Sequence, residues 1–197
     1  LSNIHYITPY STEKNFGKAI NEQIECVPDD AWVCLMDGDV MFLTPEWGQQ
    51  ISEVVKLYGK KYSLLGCMTN RLARPIQRYK GEFSNDMDIM NHYEIAKQLQ
   101  TGHWAEVEDI TLKRRIAGMF MLFPKSLWNQ VKFRENTPNF DDYFCSDVLR
   151  KGKRLGLIKG LYMFHFYRAN KSPKDRSHLI NSTPSTSGTS SNITSES

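Results

Sequence analysis

The chain is 197 residues long, 40% hydrophobic and 12% aromatic, which supplies one compact core and leaves too little length for two domains. Its 25 basic and 22 acidic residues are interspersed and leave a formal charge of +3, which excludes the one-sided charge block of a dedicated nucleic-acid binder. No segment reaches the ~20 apolar residues of a membrane span, no charged segment followed by an apolar signal core opens the sequence, and Cys26, Cys34, Cys67 and Cys145 form no C-x-x-C pair, so a reduced, cytoplasmic setting is expected.

Ile4 to Ile7 reads as a strand that Thr8-Pro9-Tyr10-Ser11 ends, because Pro9 has no N–H for a ladder and disfavours helix just before it. Phe16, Ile20, Ile24 and Val27 recur at helical spacing and predict a helix from Asn15 to about Val27, stopped by Pro28-Asp29-Asp30. Ala31 to Met36 is a continuous apolar run of the length expected for a strand buried on both faces, and it delivers Asp37-Gly38-Asp39 at its C-terminal end. Thr44-Pro45 resembles an N-cap with a first-turn proline; Trp47, Ile51, Val54, Val55 and Tyr58 mark a second amphipathic helix, and Ser63 to Thr69 reads as another buried strand.

Asn70 to Ser84 is polar and broken by Pro75 and Gly81, which predicts a long exposed loop, with Arg71, Arg74, Arg78 and Lys80 as solvated residues. A helix is expected over Asp86 to Gln100, a strand over Ala117 to Phe123, a short helix around Leu127, Trp128 and Val131, and a helix over Tyr143 to Arg150 that Gly152 ends. Two last apolar runs, Leu155 to Ile158 and Leu161 to Phe166, lead to His165 and Arg168. From Asn181 onward the residues are almost all Ser, Thr, Gly and Asn, so the expectation is a compact domain over 1–178 and a disordered tail over 179–197, with the acceptor sequences at Asn181 and Asn192 unused.

Two aspartates separated by one glycine at the end of a buried strand suit a hard divalent cation, which takes one or two carboxylates and keeps positions open for substrate phosphates. Asp141-Asp142 ahead of an Arg150-containing helix, and His165 after an apolar run, complete a constellation of ionisable groups. Thr8-Pro9-Tyr10-Ser11, Asp37-Gly38-Asp39, Gly118, Asp141-Asp142 with Arg150, and His165 together resemble, over roughly residues 4 to 168, the GT-A glycosyltransferases, particularly family 2 and the related polypeptide N-acetylgalactosaminyltransferases.

The resemblance implies a single GT-A-like, Rossmann-like α/β domain with a mixed, mainly parallel central sheet flanked by helices and a site along the strands' C-terminal edge. It implies a metal-dependent transferase of Mn²⁺ or Mg²⁺ that uses a nucleotide sugar, UDP-linked, as donor and a glycan, lipid-linked or other hydroxyl as acceptor, with inversion favoured. Asp37, Asp39 and His165 would hold the metal, Asp39 as the main ligand and Asp37 also near the sugar or ribose. Thr8, Pro9 and Tyr10 would border the nucleotide, and Arg168 would neutralise the diphosphate. Asp141 or Asp142, Asp141 slightly preferred, would serve as catalytic base, and Asn70, Arg71 and Gly118 are candidate donor or acceptor contacts. Base recognition is left without an assigned residue, because only Asn15 to Asp30 separate the opening turn from the strand that carries Asp37. Two alternatives stay open: a non-catalytic nucleotide- or sugar-binding relative of the fold, and a nucleotidyltransferase, for which the glycine-rich basic loop after the first strand is missing.

Overall fold

The computed structural model describes residues 3–169, 171 and 177; the expected tail over 179–197, with Asn181 and Asn192, lies outside them. In chain order the strands and helices are β1 (Ile4–Ile7), α1 (Phe16–Glu25), β2 (Trp32–Met36), β3 (Val40–Phe42), α2 (Trp47–Tyr58), β4 (Leu64–Thr69), α3 (Ile89–His103), β5 (Val107–Asp109), β6 (Phe120–Pro124), α4 (Lys125–Trp128), α5 (Phe140–Arg150) and β7 (Leu155–His165). Short 3-10 turns cover Pro75–Gln77, Tyr79–Gly81 and Thr111–Lys113.

Seven strands form one mixed sheet in the order β1-β2-β6-β4-β7-β3, with β5 also on β7. Strands β1, β2, β4 and β7 share one direction, while β6 inserts antiparallel between β2 and β4 and both β3 and β5 run against β7. The result is the expected α/β, Rossmann-like domain with helices packed on the sheet. The apolar runs read from the sequence form its centre: Val33, Cys34, Leu64, Leu65, Phe120, Leu122, Leu157 and Met163 are all fully buried. One side of the sheet packs Ile20, Ile24, Trp128, Phe133 and Phe144, and the other packs Ile51, Val54 and Val55 of α2.

The two C-terminal apolar runs are halves of a single strand. Between Cys67↔Ile158 and Met68↔Tyr162 the β4–β7 register jumps, so β7 carries a bulge over residues 159–161. Gly160 is needed there, since a Cβ would come within 2.4 Å of the His103 carbonyl oxygen. Helix α2 begins at Trp47 with Glu46 at its N-cap, so Thr44 is not the cap; its buried hydroxyl instead accepts from Gln100. Helix α5 starts three residues earlier than the apolar spacing indicated, which puts Asp141 and Asp142 inside its first turn. No helix among the described residues is long and apolar enough to cross a membrane.

Candidate metal centre

A strand that the sequence reading missed assembles the site. After β2 delivers Asp37-Gly38-Asp39, β3 begins at once and pairs antiparallel with the end of β7 in the register Val40↔His165. The Phe166 N–H donates to the Asp39 carbonyl at 2.8 Å, and the Asp37 N–H donates to Met119 at 3.1 Å, so the turn is fixed at both ends. Asp37, Asp39 and His165 thereby offer ligand atoms within 4.8 Å of one another, with His165 Nε2 3.4 Å from Asp39 Oδ1. Octahedral ligands about 2.1 Å from a small cation lie between about 3 Å (adjacent) and about 4.2 Å (opposite) apart, so a small inward adjustment would let the three residues fill half of such a shell.

The surroundings of His165 select the tautomer that a cation requires. Its Nδ1 lies 2.8 Å from the Arg71 carbonyl oxygen, which only accepts, so Nδ1 carries a proton and Nε2 is the ring nitrogen that faces Asp39, able to hydrogen-bond its carboxylate or to ligate a cation. Asn70 clamps the same residue through its backbone: its side-chain oxygen accepts from the His165 N–H at 2.8 Å and its amide donates to the His165 carbonyl at 3.3 Å. Arg71 in turn ties the strap of residues 70–88 together, donating to the carbonyls of Ser84 and Asp86. Asn70 and Arg71 are buried at 1% and 0% exposure and neither lines the pocket beside the triad; both hold His165 in place.

The triad opens into a pocket of about 620 Å³ that also exposes Thr8, Pro9, Tyr10, Gly118 and Asp141. A Cβ at Gly38 would meet only Thr8 Cγ2, at 3.7 Å, so nothing in the protein itself demands glycine at the turn. Gly118 is different: a Cβ there would lie 3.0 Å from the Phe140 ring, and its N–H donates to Asp141 Oδ2 at 3.0 Å. This close approach of β6's leading segment to the start of α5 aims Asp141 into the pocket. Asp142 lies outside the pocket lining and is held by Arg74 and Arg115, so of the acidic pair only Asp141 is placed to act there. Arg168 is exposed, just beyond Tyr167, and does not line the pocket.

Three carboxylates in one concavity repel one another and lose hydration. Desolvation, with Asp39 and Asp141 nearby, pushes the Asp37 carboxyl up to about 6 against the opposing pull of His165. Asp39 is held below the ordinary carboxylate range, chiefly by its hydrogen bond with His165. Burial and then the charge of Asp142 raise Asp141, only partly offset by the N–H groups of Gly118 and Asp142. Among the described residues no lysine or arginine lines this pocket, so its electrostatics call for a cation. Two hard oxygens and one imidazole nitrogen fit Mn²⁺, and Mg²⁺ slightly less well.

The sequence reading overlooked the aromatic wall. Phe16, placed on the buried face of α1 by its spacing, is 41% exposed and lines the pocket beside Phe140, their ring centroids 6.1 Å apart. Its position at the first turn of α1, next to the Thr8-Pro9-Tyr10 turn, was the available signal. Compared with known proteins, the chain matches no family model and no curated protein.

Proposed function

We propose that the protein is a metal-dependent glycosyltransferase that moves a sugar from a UDP-linked donor to a hydroxyl acceptor with inversion. The observation that carries this reading is the convergence of Asp37, Asp39 and His165 on one wall of a pocket whose other wall presents Asp141. A bound Mn²⁺ or Mg²⁺ would supply charge neutralisation of the diphosphate as it leaves. The chain's own groups do the rest. Asp37, Asp39 and His165, the last through Nε2, would hold the cation and leave its remaining positions open. Tyr10, Phe16 and Phe140 offer flat apolar faces for a nucleobase or sugar ring. Asp141, whose proton affinity is raised, takes the proton from the acceptor hydroxyl as that oxygen bonds to the anomeric carbon and the bond from that carbon to the diphosphate breaks. With no arginine or lysine among the described residues of the lining, a nucleoside diphosphate without metal would face three carboxylates, so donor binding should depend on the cation.

Calorimetric titration of nucleoside diphosphates with Mn²⁺, with Mg²⁺ and with chelator tests this, alongside Asp39→Ala and His165→Ala. Binding of one diphosphate that requires metal and is abolished by both substitutions supports the reading. Metal-independent binding, or none at all, sinks it. Metal-dependent hydrolysis of the donor by the parent then separates an enzyme from a binding module.

A further inference from the structure

Three stretches far apart in sequence meet at the end of the sheet opposite the pocket: residues 60–61, residues 109–114 and residues 150–154. Ser63 N–H donates to the Arg154 carbonyl, Ile110 N–H donates to the Leu155 carbonyl, and Arg154 pairs with Asp109. Eight of the chain's 25 lysines and arginines but one of its 22 acids fall in these stretches, a net +7 within them, while the remainder, with 17 bases and 21 acids, is net negative. Arg150 and Arg154 are paired with carboxylates. Among the described residues, Lys60, Lys61, Lys113, Arg114, Lys151 and Lys153 form no ion pair; all but Lys153 are exposed.

At the tip of this basic end stands Leu112, 93% exposed. The segment that carries it is held firmly. Ile110 and Ile116 on either side are fully buried, the Thr111 N–H donates to Asp109 Oδ1 at 2.9 Å, the Thr111 hydroxyl accepts from the Leu155 N–H at 3.1 Å, and the Lys113 N–H closes the turn on the Ile110 carbonyl at 2.8 Å. A well-anchored turn therefore projects an aliphatic side chain beyond a ring of cations.

We infer that this end of the molecule docks on an anionic lipid surface, with Leu112 entering the boundary between headgroups and acyl chains and the six unpaired cations lying against the headgroups. An aliphatic tip gains by leaving water for the acyl boundary, whereas a nucleic-acid backbone offers it nothing. Five of the six free cations are lysines, which act as compact point charges, and none brings the planar fork and stacking face by which arginine reads bases, save Arg114. The charge asymmetry orients the molecule as well, because the acid-lined pocket lies at the other end of the bulged β7, on the order of 20 Å away, and is repelled from the same surface. The pocket then opens to the aqueous side, where a nucleotide-linked substrate is found.

Co-sedimentation of the full chain with phosphatidylcholine vesicles, with and without roughly 30% phosphatidylserine, tests the inference, since each lysine near an anionic leaflet changes affinity about fivefold. The parent should bind only the phosphatidylserine vesicles and release them at high salt. Lys151→Gln with Lys153→Gln should weaken binding about 25-fold, Leu112→Ser about tenfold, and Lys97→Gln on α3 not at all, with thermal unfolding confirming that each variant is folded. Absence of parent binding, equal binding to uncharged vesicles, or indifference to Leu112→Ser overturns it. So does tighter binding to a DNA duplex than to vesicles.

Discussion

Replacing Asp37 by asparagine should make the metal-free protein more stable and deprive it of its cation. The carboxyl's pKa rises from an ordinary 3.8 to about 6 in the fold. The native state thus holds this proton more tightly than the unfolded chain, and stability is lost as pH rises from about 4 through 6, with the penalty complete above that window. At about 1.4 kcal/mol per pH unit the ceiling is about 3 kcal/mol. The group is solvent-accessible, and screening cuts this to about 1 kcal/mol. For a domain of this size that is a rise in Tm of about 2–4 °C at pH 8 in chelator, shrinking to about a fifth of that at pH 4. Saturating Mn²⁺ should reverse the order, since a ligand at a hundred times its Kd adds about 2.7 kcal/mol to a protein that binds it. Thermal unfolding of both proteins at the two pH values, with Mn²⁺ and with chelator, is the assay. A variant less stable than the parent at pH 8 without metal would refute the repulsion argument, and equal Mn²⁺ stabilisation of both would refute the ligand assignment.

Mn²⁺ affinity of the parent should fall steeply below about pH 6, where a proton competes for Asp37, and calorimetry across pH 5 to 8 reads this directly. Asn70→Ala should weaken Mn²⁺ binding about 10–100-fold, because the clamp on the His165 backbone is lost; unchanged affinity would assign Asn70 to the fold alone. Asp141→Asn should lower transfer about 10²–10⁴-fold while leaving nucleotide and Mn²⁺ binding near the parent's, and an equal loss in Asp142→Asn with Asp141→Asn fully active would move the base to the neighbouring residue. Gly118→Ala should destabilise by about 1–3 kcal/mol through the Phe140 ring, measurable by urea unfolding.

The sequence was legible where long apolar runs ended in charged residues. The run from Ala31 to Met36 announced β2 and placed Asp37 and Asp39 at its end, and the last apolar run placed His165. It was silent on β3 and β5, because three residues such as Val-Met-Phe or Val-Glu-Asp carry no period; their pairing with β7 is a tertiary event. The arginines of the 70–88 strap misled in a different way. Arg71 and Arg78 are buried despite their charge, and for Arg71 the reason is visible in the backbone carbonyls that receive its guanidinium, which no sequence pattern reports. The genuinely basic surface was invisible for the same reason, being spread over three stretches that only folding brings together.

Val40 and His165 stand 125 positions apart, yet their pairing is what closes the triad. Joining segments so distant is among the slower and entropically dearer steps available to a chain. An intermediate that has formed β1, β2 and the helices around them would carry both aspartates and still have no cation site. Metal occupancy would therefore report finished folding: it would mark only those molecules in which the last strand has arrived, and would hold the first half of the chain to the second.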